Sequence, residues 1–282
     1  MMPGVLPHAP VNGVYKPDGK YLDGLKSIVE MLAEHGIYTI LEFHQDCLSE
    51  FFCGEGLPRW VVKEILDAFP AEFEEALIEM VSAFKLHLPG LGRLEDNALR
   101  KFVRERIPEL AFPAPLAAPF KKTANLSDAD NGIFSHEECS RMTYWQYQLS
   151  FQGGHAARRL FNTSSSTFRH LREYWKVLAT HFQGNTNVLA FELVNEPFPG
   201  GPSMEPWMLL PDNAVARLRP FYRQLSMEIH RIDSNRLVAF SPQTWEEGTF
   251  VVLKANQAAS QICDWLRSLL PGDRMEICET MW

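Results

Sequence analysis

A repeated helix–strand unit constrains the fold of this chain more than any other feature. Apolar residues recur at helical spacing over 22–32 and stop at Gly36, a residue type that often follows a helix end. A short β-rich stretch, 37–43, comes next and ends in the polar cluster His44-Gln45-Asp46. The pattern predicts a helix, then a buried strand, with polar side chains at the carboxyl end of the strand.

The same unit occurs twice more along the chain. A helical stripe over 168–182 precedes the apolar stretch 188–194, which leads directly into Asn195-Glu196-Pro197. The third unit is predicted to begin a helix at Pro220, because proline suits the first helical turn, and to continue into a strand over 236–240. Polar and aromatic residues follow this strand as well.

Alternating helices and nearly all-apolar strands are typical of an α/β fold with a parallel sheet covered by helices. Polar residues at three successive strand ends favour a TIM (β/α)8 barrel, whose active sites collect at the carboxyl-terminal face. No GxGxxG or Walker loop follows these strands, which weakens a dinucleotide or nucleotide function. Since three strands cannot close an eight-stranded barrel, we expect the barrel to be incomplete, with an open sheet edge.

Composition and charge exclude several classes of protein. With 282 residues, 46% hydrophobic and 22% charged, the chain has enough apolar material for a sizeable core. The net charge of −8 argues against a nucleic-acid partner. We find no transmembrane run and no signal peptide, so we expect the chain as given to be soluble. The compartment is left open, with the extracellular space or an endomembrane lumen as candidates for a full-length protein.

The chain is predicted to form a single domain over 1–282, because no linker or charge block divides it. The proline- and aromatic-rich segment of about 61–167 is predicted to be an elaboration between the first two strands, and 247–282 reads as an atypical tail. None of the five cysteines has zinc-type spacing. Unpaired thiols are the favoured interpretation, with a Cys53–Cys139 disulfide as the alternative in a secreted protein. Two N-glycosylation tripeptides, at Asn125 and Asn162, are compatible with secretion.

Glu196 is the candidate catalytic residue. Glycoside hydrolysis needs one carboxyl to protonate the leaving oxygen and a second to attack the anomeric carbon or activate water. A bare Asn-Glu-Pro is more often a polar turn, but here it follows a strongly apolar strand in a chain with a second polar strand end. That strand end carries His44 and Asp46, which lie two residues apart, face the same way on extended backbone and could bind adjacent sugar hydroxyls.

Several aromatic residues could stack on sugars or line an apolar groove, although each singly is more typical of a core. They are Trp60, Phe198, Trp207 and Trp245.

Three sequence blocks carry a specific resemblance to a known family. They are 40–46 (ILEFHQD), 52–60 (FCGEGLPRW) and 191–197 (FELVNEP), with Cys139 and further aromatic positions between them. Together they resemble the endoglycoceramidase-related branch of glycoside hydrolase family 5, over roughly residues 1–246. The HQD and FCGEG blocks distinguish this branch from ordinary cellulases.

The resemblance implies a TIM barrel that cleaves β-glycosidic bonds with retention and needs no metal or other cofactor. Glu196 would be the acid/base, and His44, Asp46 and Asn195 would contact the sugar beside the scissile bond. Trp60 and Trp245 are kept as further substrate-contacting candidates. The substrates of the branch are glycolipids, cleaved between sugar and ceramide, and in some members glucosylceramide or steryl glucoside. Such substrates would bring the protein into peripheral contact with membrane lipid.

The resemblance also implies what to expect at the two ends. Residues 1–5 match the end of the family's second strand, so the chain would span about strand 2 to strand 5, without the family's sugar-binding arginine. The nucleophile would be expected more than a hundred residues after Glu196, beyond the chain end. The later glutamates, none of which ends an apolar strand, are Glu246, Glu247, Glu276 and Glu279. We therefore assign no nucleophile.

Three functions stay open on the sequence. The leading hypothesis is a retaining glycolipid β-glycosidase, present as a fragment and impaired without its nucleophile. The second is a β-glucosidase or endoglucanase of the same family acting on soluble saccharides. The third is a non-catalytic remnant that binds sugar or lipid. The glycan, the aglycone and the oligomeric state are not determined by the sequence.

Overall fold

The computed structural model describes residues 2–68, 139–140, 151–200, 205, 211–242 and 251–254. Within these ranges the helices are α1 (Met2–Val5), α2 (Gly19–Glu34), α3 (59–68), α4 (Phe151–Phe161), α5 (Ser166–His181) and α6 (Pro211–Ile232). The strands are β1 (Thr39–Glu42), β2 (Val188–Glu192), β3 (Leu237–Phe240) and β4 (Val251–Lys254).

The strands form one sheet in the order β1-β2-β3-β4. The first three are parallel to one another, whereas β4 pairs antiparallel with β3. The three predicted strands and their parallel sense are confirmed. The fourth strand lies in the segment that the sequence marked as an atypical tail, where the β-prone run Val251-Val252-Leu253 indicates it in retrospect.

Capping residues fix where the helices begin. The Asp18 side chain accepts a hydrogen bond from the Tyr21 N–H at the start of α2, and Ser165 does the same for Phe168 at the start of α5. Gly36 follows α2 at a φ of +73°, the left-handed conformation predicted for it. The expectation for Pro220 is wrong, because this residue lies inside α6.

Burial on both sides of Pro220 explains how α6 continues through it. A proline inside a helix costs about 3 kcal/mol. Ala214 and Leu218 before it, and Phe221 and Leu225 after it, are all buried in the core. Burying the three large side chains, Leu218, Phe221 and Leu225, stabilises the helix by more than this cost, since each contributes about 1.5–3 kcal/mol.

The core lies between the sheet and the helices that cover one face of it. Trp175 of α5 is fully buried, contacts the ring of Phe191 on β2 and donates its indole N–H to the Leu193 carbonyl at 3.2 Å. Phe168 of α5 contacts Phe221 of α6, with ring centroids 5.5 Å apart. The opposite face of the sheet carries different residues, among them two glutamates that belong to the site described below.

The free edge of the sheet agrees with an incomplete barrel. Among the described strands β1 has β2 as its neighbour on one side, and apolar residues at or before this edge are exposed, namely Ile37, Tyr38 and Ile40. No helix in the described ranges is both long and apolar enough to cross a membrane.

The cysteines correct the favoured sequence interpretation. Cys53 and Cys139 form a disulfide that joins positions 86 residues apart, and Cys47 is a buried thiol. The residues around a cysteine do not show whether it forms a disulfide. The pairing became visible only in the fold, which brings Cys139 to Cys53 in the loop after β1. Of the segment 61–167, the described parts are mostly helical, with a turn at 162–165, and the remainder lies outside the described residues.

Candidate functional site

The two polar strand ends lie side by side at the carboxyl edge of the sheet. The Phe43 N–H donates to the Glu192 carbonyl at 3.1 Å, and the Asn195 N–H donates to the Phe43 carbonyl at 3.0 Å. The β1–β2 ladder therefore continues past both strands into the polar segments. His44, Asp46, Asn195 and Glu196 follow neighbouring parallel strands at one edge, as predicted, whereas a cavity shared by all four stays a prediction.

Gln45 joins the polar segments after β1 and β2 by hydrogen bonds, a role that the sequence analysis did not predict. Its side chain is 1% exposed, and its amide nitrogen donates to the carbonyls of Asn195 at 2.9 Å and Glu196 at 2.8 Å. A buried polar side chain needs such partners, so Gln45 holds two consecutive peptide units in one geometry. A glutamine between His44 and Asp46 alternates to the opposite face of an extended segment, which is the signal that could have identified it.

Glu196 has a strained backbone at this edge. Its φ is +39°, in the left-handed region that few residues other than glycine adopt. Such a conformation costs on the order of 1–3 kcal/mol and persists where the surroundings impose it. Here the two hydrogen bonds from Gln45 impose it, and the Glu196 side chain is exposed at the rim.

The loop after β1 presents Asp46 and Glu55 as a rigid pair. Their backbones exchange hydrogen bonds of 3.0 and 2.7 Å. Gly54 allows this approach, because a Cβ atom there would lie 1.7 Å from the Asp46 carbonyl oxygen. The Cys53–Cys139 disulfide holds the same loop from outside. Close backbone packing thus explains the glycine before Glu55 in the FCGEG block, and the Glu55 side chain lies near His44.

His44 is the centre of a cluster of carboxylates. Its Nδ1 lies 2.8 Å from a Glu42 oxygen, and its Nε2 lies 3.4 Å from Asp46 and 3.8 Å from Glu55. Partial burial disfavours the cation, but the hydrogen bond and charge of Glu42, with the charge of Asp46, outweigh it and raise the pKa of His44. The ring therefore gains protons more readily than an ordinary histidine.

Glu192 lies next to this cluster on β2. Burial raises the pKa of its carboxyl, the neighbouring Glu42 raises it further, and the Ser241 hydroxyl, which donates at 2.8 Å, opposes them. Glu42 and Glu192 were not among the predicted site residues. The signal was available, since each is a single acidic residue within an otherwise apolar strand.

His44, Asp46 and Glu55 also form a donor set that could hold a divalent cation. One ligand atom of each lies within 4.8 Å of the others. Nitrogen and oxygen donors of this kind suit several metals, and acidic groups often cluster without one. The same atoms are suited to sugar hydroxyls, which use both donors and acceptors.

The aromatic candidates lie in different places. Trp60, in α3, donates its indole N–H to the Leu6 carbonyl at 3.0 Å and packs edge-on against His170. Phe198, just after Pro197, is buried. Trp207 and Trp245 lie outside the described residues, so substrate contacts for Trp60 and Trp245 stay predictions.

A glutamate and a His/Asp pair lie at the carboxyl edge of a parallel sheet, which is the edge where the active sites of TIM-barrel enzymes collect. Comparisons with known proteins agree. The family model "Cellulase (glycosyl hydrolase family 5)" matches residues 136–268. An endoglycoceramidase of Hydra vulgaris is 27% identical over 247 residues, and one of Cyanea nozakii is 25% identical over 248 residues.

Each match covers most of this chain but less than half of the relative. The Hydra and Cyanea matches each take in 87% of this chain and 38% or 39% of the relative. Endo-glycoceramidase II from Rhodococcus sp., solved as a lactosyl-enzyme intermediate, has a TM-score of 0.52 and 20% identity over 87% of this chain and 40% of that structure. The chain thus spans about two fifths of these proteins.

The fold is therefore that of part of a TIM barrel, and residues 136–268 match the family 5 glycoside hydrolase model. In sequence the chain is similar to endoglycoceramidases, the branch that its HQD, FCGEG and NEP blocks resemble.

Proposed function

We propose that this chain carries the acid/base half of a retaining β-glycosidase that acts on glycolipids, with Glu196 as the acid/base. The observation that supports this most is the presentation of Glu196 itself. It is exposed at the carboxyl end of β2, on a left-handed backbone that two hydrogen bonds from Gln45 impose. Strained residues of this kind cluster at active sites.

His44, Asp46 and Asn195 complete the sugar-binding side of the proposal. A histidine with raised proton affinity can donate to a sugar oxygen, and a carboxylate can accept from the next hydroxyl. The related endoglycoceramidases, one of them solved with the ganglioside GM3, favour a glycolipid over a soluble saccharide. The lipid part of such a substrate would bring the protein to a membrane surface.

Retention requires a second carboxyl about 5–5.5 Å from the acid/base, to attack the anomeric carbon. Glu246, Glu247, Glu276 and Glu279 lie outside the described residues, and we assign the nucleophile to none of them. We infer that the polypeptide of 282 residues turns over glycolipid poorly by itself, because general acid help alone contributes only about 10²–10⁴-fold.

An external nucleophile tests both inferences together. The purified chain is incubated with lactosylceramide in detergent micelles, or with an aryl β-glucoside, with and without azide. Azide attacks the anomeric carbon from the face opposite the leaving oxygen, the C1–O bond breaks, and Glu196 gives its proton to the departing alcohol. We expect an α-glycosyl azide that forms only with azide, disappears in Glu196→Gln and persists in Glu34→Gln, a matched control on an exposed face of α2.

Each other outcome has a definite meaning. Turnover with retention in the absence of azide would establish a nucleophile within this chain and refute the impairment. Faster cleavage of cello-oligosaccharides than of the glycolipid would favour the soluble-saccharide alternative. Saturable binding of glycolipid with no cleavage under any condition would favour a non-catalytic binding protein and refute the assignment of Glu196.

A further inference from the structure

The turn between α4 and α5 carries one of the two N-glycosylation tripeptides of the sequence. It reads Asn162-Thr163-Ser164, with a hydroxyl on the third residue and no proline in the middle. α4 ends at Phe161, directly before the turn, and Asn162 and Ser164 are both exposed. A sugar chain on asparagine is bulky and must lie in solvent, so exposure is the first condition for a modified asparagine. Asn162 meets this condition.

The conformation of the turn presents the nitrogen end of the Asn162 side chain. The Oδ1 atom of Asn162 accepts the Ser164 backbone N–H at 3.0 Å, which is an Asx turn. The backbone carbonyl of Asn162 accepts the Ser165 N–H at 2.9 Å. Both oxygens of Asn162 are therefore engaged within the turn, and Nδ2 is the atom of the side chain that is left for chemistry.

The contacts that hold this turn are all short-range. Besides the two hydrogen bonds of Asn162, the Ser165 hydroxyl donates to the Arg159 carbonyl at 2.5 Å and accepts the Phe168 N–H at 2.9 Å. N-glycans are attached as a chain enters the lumen, before it has folded. Since these contacts join residues of one short segment, the unfolded chain can adopt the same turn without the rest of the protein.

A surface groove beside Asn162 gives an attached sugar room in the folded protein. Its volume is about 480 Å³, and Asn213 and Pro220 of α6 border it opposite the turn. Arg217 lines it as well and is held in place by the Glu205 carboxylate, with two contacts of 2.7 Å. A sugar on Asn162 can therefore leave the surface without displacing packed side chains.

The Cys53–Cys139 disulfide is an independent indication of the compartment. Disulfides form and persist in the lumen of the secretory pathway and outside the cell, and they are rare in the reducing cytosol. The lumen where disulfides form is also the one where N-glycans are attached. A paired Cys53 and an exposed tripeptide at Asn162 thus point to the same history of the chain.

We propose that Asn162 carries an N-linked glycan, attached in the secretory lumen. The donor is an oligosaccharide linked through diphosphate to a polyprenyl lipid. The bond between Nδ2 and the anomeric carbon of the first sugar forms, and the bond between that carbon and the diphosphate oxygen breaks. The diphosphate leaves with the electron pair of the broken bond, and Nδ2 gives up one proton. This modification is independent of the proposed function, because it uses no residue of the candidate site.

The test uses the full chain of 282 residues, directed into the secretory pathway of cultured animal cells by a cleavable signal peptide. Peptide N-glycosidase in heavy-oxygen water converts a glycosylated asparagine to labelled aspartate, which mass spectrometry locates. We expect the label on Asn162 and its loss in Asn162→Gln and in Ser164→Ala. Ser164→Thr keeps the hydroxyl and should keep the glycan. Asn125, in the second tripeptide, lies outside the described residues, and Asn125→Gln should leave the glycan on Asn162 in place.

Asn185 is a matched internal control. Its Oδ1 accepts the Asn187 N–H at 2.9 Å, the same Asx turn, but Asn187 supplies no hydroxyl at the third position. Asn185 should therefore stay unlabelled, and a label there would show that the assay does not report on the tripeptide. Attachment precedes folding, so loss of the glycan in a variant is read on total cell protein whether or not that variant folds.

Two results would overturn the proposal. The first is an unlabelled Asn162 in protein that has lost its signal peptide and formed the Cys53–Cys139 disulfide. The second is a glycan found on Asn162 only in molecules retained by the cell, with the secreted protein unmodified, because the folded structure would then not accommodate it. Neither readout depends on turnover, so a glycosylated chain without glycosidase activity would leave this proposal standing while the proposed function fails.

Discussion

Arg236 and Arg231 form ion pairs of the same spacing that differ strongly in burial. Arg236 lies 2.9 Å from Asp233, and Arg231 lies 2.8 Å from Glu228, each pair three residues apart. The Arg236 side chain is 5% exposed, whereas that of Arg231 is 65% exposed. If burial decides the energetic value of such contacts, the two arginines should respond very differently to the same substitution.

The contacts of Arg236 set the expected magnitude. Its guanidinium also donates to the carbonyls of Phe182 at 2.9 Å and Asn185 at 3.1 Å, and to that of Val188. It therefore joins the end of α5, the start of β2 and the turn before β3. Arg236→Met keeps most of the stem but leaves the Asp233 carboxylate, only 12% exposed, and these carbonyls without the guanidinium. Breaking a buried pair in this way costs about 3–5 kcal/mol.

Arg231→Met should cost only about 0.2–1 kcal/mol, as for exposed pairs in general. Urea unfolding of both variants and the wild type measures the difference, with similar slopes confirming that the same surface is exposed. Adding Asp233→Asn to Arg236→Met should recover part of the loss, because it removes the uncompensated charge. Equal costs for the two arginine variants, within about 0.5 kcal/mol, would refute the reasoning from burial.

Three further predictions concern stability. Burial, with the charges of Arg159 and Arg158, lowers the pKa of His155 from the ordinary value of 6.5 to about 3. As the pH falls below 6.5, the unfolded chain binds a proton at this residue that the folded protein does not, so the free energy of unfolding decreases. We expect the wild type to lose about 2 kcal/mol more than His155→Gln between pH 7 and pH 5 in urea melts, and an equal loss in both would contradict this. Glu196→Gly should be about 1 kcal/mol more stable than Glu196→Ala in the same assay, because glycine relieves the left-handed backbone, and the opposite order would remove the argument for strain. Reduction of Cys53–Cys139, which closes a loop across 86 positions, should lower the unfolding free energy by about 4–5 kcal/mol, and unchanged melts after reduction would refute it.

The sequence predicted the repeated unit because its signals are local. Periodic apolar residues and a glycine after the helix end, Gly36, act within a few residues of one another. The prediction that a helix begins at Pro220 was wrong because the free-energy cost of a proline in a helix is a local effect. The burial of α6 on both sides of Pro220, which offsets that cost, comes from tertiary packing. The disulfide could not be derived for the same reason, since its two cysteines lie 86 positions apart.

The candidate site was predicted in part. The strand ends identified His44, Asp46, Asn195 and Glu196 because strand-end polarity is visible in one dimension. Gln45 was not predicted as a site residue because its structural role depends on hydrogen bonds to two carbonyls about 150 positions away. The pairing of Glu42 with Glu192 depends on the register between two strands, which no local pattern specifies.

The central claim is that Glu196 is the acid/base of a glycosidase site, and affinity labelling tests it most directly. N-bromoacetyl β-lactosylamine places an electrophilic carbon where the leaving oxygen would lie, and a carboxylate there displaces bromide to form an ester. We expect mass spectrometry to locate a single ester on the peptide that contains Glu196, suppressed by excess lactose and absent in Glu196→Gln. Labelling of other carboxylates with Glu196 unmodified, or labelling that lactose does not suppress, would contradict the account.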